Sequence, residues 1–287
     1  MKKISKKAYA KVNLGLKVSN KKEDGYHNLE TIIIPISLHD KICITKINKR
    51  TIDLNCNVKE LENDSNLVIK AAKLINDMYN LDSGIKIDLI KNIPTEAGLG
   101  GGSADCAATL TLLNELFDLK IETSKLIDLA LTLGADVPAC IINNTKFVQG
   151  IGEKLTDIDS KMKFYILIIK PNISFSTRTM YAKIDLINEN IFIKRSDFNR
   201  AIKCMKSLDI DDFVKYIYND FEYVVDNIVI DELKKELLST GAIKSLMTGS
   251  GSAVYGIFKS DNEMKAAYKI LKSKYRVYMC ESINEEN

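Results

Sequence analysis

Four of the five residues from 98 to 102 are glycine, in the stretch Pro94-Thr95-Glu96-Ala97-Gly98-Leu99-Gly100-Gly101-Gly102-Ser103-Ala104. Ordering so many glycines costs chain entropy, so the run needs a structural reason. Without Cβ atoms, backbone N–H groups can close on phosphate oxygens, and a helix starting just beyond offers unpaired N–H groups and the positive end of its dipole. Ser103 adds a hydroxyl. A flexible linker is the bland alternative, but linkers seldom run directly into a helix. No Gly-Lys-Ser/Thr follows the glycines, so this is not a Walker A loop, and Ser103 stands where GxGxxG needs its third glycine. The protein-kinase signatures are also missing.

Other candidates are weaker taken singly. Gly134-Ala135-Asp136-Val137-Pro138 carries one carboxylate among small residues, which by itself reads as a turn. Lys11 and Asn13 share the polar face of a strand, where a lysine is ordinarily solvated. His27 follows Asp24-Gly25-Tyr26, a turn that would hold the ring at a strand start, and His39 reads as an ordinary turn residue. Thr248-Gly249-Ser250-Gly251-Ser252 between two apolar runs is a second glycine-serine loop, sufficient as a hairpin turn without any ligand.

The elements that must carry these residues can be read from periodicity. Apolar residues on even positions from Ala8 to Val18 predict a half-buried strand, which puts Tyr9, Lys11 and Asn13 on its other face. Strands are expected at 31–38, 41–47 and 85–90, and a helix capped by Asp64 and Ser65 runs through Leu67 to Met78. The glycine loop leads into a helix over 104–117, and a helix over 124–133 ends at Gly134 as a C′ residue. Beyond residue 160 the pattern predicts a strand at 164–169, amphipathic helices between about 197 and 238, a strand-loop-strand over 244–258, a helix at 262–272 and a strand at 276–280.

Composition narrows the class. The 287 residues, 46% apolar, can bury a sizeable core, and a division near residue 160 fits two domains. With 41 Lys+Arg against 38 Asp+Glu there is no basic field for nucleic acid. Six scattered cysteines without a CxxC pair or a neighbouring His cluster read as reduced core thiols, not a zinc site or disulfide framework. Lys11 and Asn13 interrupt the apolar run that an exported start needs, and no stretch of about 18 apolar residues occurs. A cytoplasmic protein without a membrane span is the expectation.

In order along the chain, Ala10-Lys11-Val12-Asn13-Leu14, the segment 94–108 and Met247-Thr248-Gly249-Ser250-Gly251-Ser252-Ala253 resemble the GHMP kinase superfamily, and the resemblance covers nearly the whole chain. Asp24-Gly25-Tyr26-His27, Gly134-Ala135-Asp136-Val137-Pro138 and Gly150-Ile151-Gly152-Glu153 resemble the branch that phosphorylates a cytidine-diphosphate-linked polyol on the non-mevalonate route to isoprenoid precursors. The resemblance implies an α/β (α+β) two-domain fold. Residues 1–160 would form an ATP-binding N-terminal domain like ribosomal protein S5 domain 2, and 161–287 a ferredoxin-like C-terminal domain.

It also implies ATP and Mg²⁺, a small-molecule substrate, no nucleic-acid or membrane partner, and a monomer or homodimer. Lys11 and Asp136 would be catalytic. ATP would meet residues Pro94 to Ala104 with Asn66 and Lys91 near the adenine, while Asn13, Tyr26, His27, Thr177, Tyr181, Gly249 and Ser250 would line the substrate, Tyr181 as a cytosine platform. Arg178 departs from a proline often found after the threonine. Other members, a homoserine or mevalonate-pathway kinase, a decarboxylating relative or a non-enzymatic binder, are the alternatives, and the intact Lys11 and Asp136 speak against the last.

Overall fold

The computed structural model describes residues 2–21, 25, 27–187 and 194–283. Contacts divide the chain into two compact units, one of residues 1–10, 38–95 and 100–143, the other of 11–37, 96–99 and 144–287. Two long strands, β1 (Lys3–Lys21) and β2 (His27–Ile47), pair with each other and each contributes to both units.

In the first unit the C-terminal half of β2 pairs antiparallel with β4 (Gly84–Ile90), which pairs parallel with β3 (Ile52–Cys56). Ile42, Ile44, Ile85, Ile87 and Leu89 of these strands join α1 (Leu67–Tyr79), α2 (Gly101–Leu116) and α3 (Thr123–Leu133) in one core. The helix α2 is buried along most of its length after the first turn, and its small and apolar residues accordingly fall on more than one face with no clean amphipathic stripe.

In the second unit the N-terminal half of β2 pairs with β5 (Lys146–Gly150), which forms a hairpin with β6 (Lys154–Asp157). A separate antiparallel sheet is built from β7 (Tyr165–Ile169), β8 (Lys244–Met247), β9 (Val254–Phe258) and β10 (Val277–Glu281) in the order β10-β7-β9-β8. Between β7 and β8 lie α4 (Thr177–Asp185), α5 (Phe198–Ser207), the one-turn α6 (Ile210–Phe213) and α7 (Ile228–Ser239), and α8 (Asp261–Leu271) precedes β10. Leu233 and Leu237 of α7 and Met264, Ala267 and Leu271 of α8 bury their apolar stripes with Leu167, Val254 and Phe258.

Several expectations change. The strands at 31–38 and 41–47 are one continuous β2, and His39 lies inside it, edge-on to Tyr9. The polar pair His39-Asp40 imitates a turn, but Asp40 is buried in the strand and accepts backbone N–H groups from Asn92 and Ile93. The cap of α1 is Asn66, whose Oδ1 accepts the Val68 N–H at 2.9 Å, and not Asp64 or Ser65. The helix after the glycine loop begins at Gly101, three residues before the expected start. Gly134 is the C-cap of α3 in extended conformation, not a left-handed C′ residue. The strands β3, β5 and β6 and the helix α4 carry too few periodic residues to be read in advance.

Candidate active site

The glycine loop has a regular backbone. Glu96, Gly98 and Gly100 take positive φ values of 52°, 74° and 67°, alternating with residues of ordinary handedness. Such alternation turns successive N–H groups to one side and makes a concave nest for an anion. The carbonyls of Ala97 and Leu99 are tied back into the protein, accepting the N–H groups of Ala253 at 3.2 Å and Lys11 at 3.0 Å. Gly100 is the N-cap of α2 and brings no side chain to the helix end, so the N–H groups of Gly101, Gly102 and Ser103 in the first turn have no intrahelical acceptor. Pro94 and Ser103 are half-buried, Thr95, Glu96 and Gly102 are exposed, and Ala104 is buried.

A Cβ on Gly98 would overlap the Thr248 carbonyl oxygen, and one on Gly249 would come within 3.2 Å of the Gly98 carbonyl oxygen and 3.3 Å of Asn13 Oδ1. Residues 98 and 249 are therefore glycine because two backbones and an amide meet there. The same corner holds Lys11. Lys11 and Asn13 lie on the face of β1 where a lysine is ordinarily solvated, but they are only 6% and 3% exposed, because β1 is covered on both faces here. Lys11 Nζ donates to Asn13 Oδ1 at 2.6 Å, and Asn13 Nδ2 donates to Thr31 Oγ1 at 3.0 Å. The Asn13 N–H donates to Thr248 Oγ1 at 3.1 Å, while its carbonyl accepts from Tyr255 Oη at 3.2 Å. All of its polar groups being engaged, Asn13 serves to aim the Lys11 ammonium.

The 248–252 loop connects β8 to β9 and is fixed from outside. Asn219 Nδ2 donates to the carbonyls of Met247 and Gly249, both at 2.8 Å, and Glu222 Oε1 accepts the Met247 N–H at 2.6 Å. Burial raises the Glu222 pKa, opposed by Lys234 at 2.5 Å. Ser250 Oγ meets Thr177 Oγ1 at 2.8 Å, so the start of α4 reaches this loop.

At the other end of β1, His27 is buried. Its Nε2 lies 2.9 Å from Asp185 Oδ1 and its Nδ1 2.7 Å from the Ser19 carbonyl, and Tyr181 stacks on the ring at 5.2 Å and 24°. Phe221 meets Tyr181 edge-on at 5.0 Å. Both polar edges of His27 and one face of Tyr181 are thus taken up by the protein. Tyr26 lies outside the described residues.

The remaining candidates belong to the first unit. Asp136 is exposed in the turn after α3, and its carbonyl accepts from Cys140 Sγ at 3.4 Å. Asn66 spends its side chain capping α1 and donating to the Leu61 carbonyl at 2.9 Å. Lys91 is buried between Asp40 and Asp105.

Comparison with known proteins decides the family. Residues 66–144 match the GHMP kinases N terminal domain and residues 196–277 the GHMP kinases C terminal domain. The chain is 38% identical over 285 residues to the 4-diphosphocytidyl-2-C-methyl-D-erythritol kinase of Clostridium novyi (strain NT), a match covering 96% of this chain and 99% of the relative. It is 39% identical to the kinase of the same name from Acetivibrio thermocellus, covering 99% of this chain and 100% of that one. The chain belongs to the GHMP kinase family.

A crystal structure of 4-(cytidine 5'-diphospho)-2C-methyl-D-erythritol kinase superposes with a TM-score of 0.85 at 27% identity, covering 98% of this chain and 100% of that one. The L. major mevalonate kinase in complex with R-mevalonate gives 0.81 at 15% identity over 99% and 98%, a likeness of fold. The two-domain GHMP kinase fold is thus present, and GHMP kinases are ATP-dependent. No helix among the described residues is long and apolar enough to cross a membrane.

Within this GHMP kinase several structural partners had no local signal. Asp185, Asn219, Glu222 and the buried Asp40–Lys91–Asp105 group act through partners between 14 and 158 residues away in sequence.

Proposed function

We propose that the protein transfers the γ-phosphoryl group of ATP to the 2-hydroxyl of 4-diphosphocytidyl-2-C-methyl-D-erythritol, a step of non-mevalonate isoprenoid precursor synthesis. The observation that carries this reading is the 38–39% identity along nearly the full chain to relatives of that name. A loose phosphoryl-transfer transition state asks the protein for alignment and charge stabilisation. In this reading the nest at 96–100 and the N–H groups of Gly101, Gly102 and Ser103 grip the β- and γ-phosphates. The acceptor oxygen attacks the γ-phosphorus, the bond to the bridging oxygen breaks and ADP leaves, while Asp136 takes the alcohol proton as general base. Lys11, aimed by Asn13, stabilises the developing negative charge.

Mg²⁺ is a hard cation that keeps waters and leans on phosphate oxygens, so the hydroxyl of Ser103 in the first turn of α2 fits it. When bound it supplies charge neutralisation on the phosphates. His27, Tyr181, Thr177, Gly249 and Ser250 line the substrate side, with Tyr181, stacked on His27, as the cytosine platform. We assign 1–160 to the ATP-binding domain and 161–287 to the C-terminal domain of the family, and place the protein in the cytoplasm, where its free thiols stay reduced. It acts as a monomer or homodimer on a small molecule.

A coupled ADP-release assay offered 4-diphosphocytidyl-2-C-methyl-D-erythritol, homoserine, mevalonate and galactose tests the assignment. Turnover of the first is expected. Turnover of one of the other three alone overturns the substrate and leaves the kinase.

A further inference from the structure

Three ionisable side chains meet inside the first unit: Asp40 in β2, Lys91 just after β4, and Asp105 in α2. None of the three side chains is more than 5% exposed. Lys91 Nζ donates to Asp105 Oδ2 at 2.6 Å and to Asp40 Oδ2. The two carboxylates differ in everything else. Asp40 Oδ1 also accepts the N–H groups of Ile93, at 2.8 Å, and Asn92, so it has the donors that an anion needs. Asp105 Oδ1 is buried with no partner.

One ammonium cannot balance two buried carboxylates, and neighbouring carboxylates in one site share a proton. That proton belongs on Asp105, whose pKa burial pushes up to about 8, with the Asp40 charge adding to the rise against Lys91. The other titratable groups facing Asp105 are the thiols of Cys56 in β3 and Cys106 in α2, both pushed upward by burial and so neutral.

The group supports a specific piece of backbone. A Cβ on Gly101 would lie 3.0 Å from Ile93 Cγ2 and 3.2 Å from Lys91 Nζ. The first turn of α2 therefore rests on the two residues that Asp40 holds in place. We propose that Asp40 is a positioning residue for nucleotide binding, setting through Lys91 and Ile93 where the first turn of α2 stands, with Asp105 as its neutral partner. The role in binding rests on the phosphate-gripping reading of that turn, and Lys91 then influences ATP from beneath the turn and not by facing the nucleotide.

The test uses the full chain with Asp40→Asn, Asp105→Asn and both together. Asparagine reproduces a neutral Asp105, so Asp105→Asn should keep kcat and the KM for ATP within about twofold, while Asp40→Asn should raise the KM for ATP about tenfold with a smaller change in kcat. In the Asp40→Asn background Asp105 can ionise and take over the countercharge, so the double variant should lose more than the product of the single losses. Asp105→Asn as harmful as Asp40→Asn, or Asp40→Asn with an unchanged KM for ATP, overturns the proposal.

Thermal unfolding of wild type and Asp105→Asn across about pH 5 to 8.5 gives a readout independent of activity. A carboxyl whose folded pKa lies above its unfolded value stabilises fully only at low pH, and that contribution fades as pH climbs to the folded value near 8. Wild type should therefore lose Tm relative to Asp105→Asn as pH rises, and parallel curves overturn the neutral partner. Calorimetry of ATP binding to wild type separates the two readings: no binding removes the phosphate grip and leaves the pH difference standing.

Discussion

Gly249 and Gly251 sit in a turn whose composition is close to that of the turn at Gly101 and Gly102, but their surroundings are opposite. In the 248–252 loop the backbone is consumed by the protein: the Gly251 N–H donates to the Thr248 carbonyl, the Thr248 N–H to the Ala253 carbonyl, and Asn219 takes two carbonyls. Gly249 and Gly251 have φ values of 57° and 87°, and a Cβ on either meets neighbouring atoms. Gly102 has no positive φ, and a Cβ there would find only Leu67 Cδ1, 3.9 Å away. Glycine at 249 and 251 allows close packing, whereas at 102 nothing in the packing asks for it, and the open N–H groups of a helix start remain as the reason. Gly98 belongs with the first kind although it lies four residues from Gly102.

That contrast separates chemistry, packing and phosphate grip, and each can be broken in turn. Asp136→Asn should leave the turns intact and reduce kcat by about a hundred- to ten-thousand-fold with the KM for ATP little changed; near-normal kcat in steady-state kinetics would remove Asp136 from the chemistry. Gly98→Ala combines a positive φ with overlap on the Thr248 carbonyl, so a loss of about 2–4 kcal/mol in denaturant unfolding is expected, and an unchanged midpoint would contradict the packing role. Gly249→Ala faces milder contacts and should cost about 1–2 kcal/mol in the same measurement. Gly102→Ala should hold or raise stability by up to about 1 kcal/mol while weakening ATP binding by calorimetry, and unaltered affinity would erase the difference between the two turns.

The parts of the fold legible in sequence were those with local periodicity. The alternation from Ala8 to Val18, the stripe of α1 and the run entering α2 all led to real elements. What stayed hidden has a common cause, the burial of polar groups by partners distant in the chain. Lys11 and Asn13 looked solvated because nothing near them in sequence shows that Thr31, Thr248 and Tyr255 complete their surroundings. Asp40 looked like a turn because its backbone donors, Asn92 and Ile93, lie more than 50 residues away. For the candidate site, the glycine run announced itself by composition, whereas the division of its glycines into packing and open positions required the neighbouring loop.

The hydrogen bonds from the Asn13 N–H to Thr248 and from Tyr255 to the Asn13 carbonyl span 235 and 242 residues. At ribosomal speeds of about 5–20 residues per second, the start of the chain waits roughly ten to fifty seconds for these partners to be synthesised. Throughout that interval the backbone N–H and carbonyl of Asn13 must be served by water, so a nascent chain stopped before β8 would contain the glycine loop, both candidate catalytic residues and the Lys11–Asn13–Thr31 side-chain bonds without the two contacts that fix the Asn13 backbone. Competence to handle a nucleotide is in this sense acquired only once β8, β9 and the loop between them have been made.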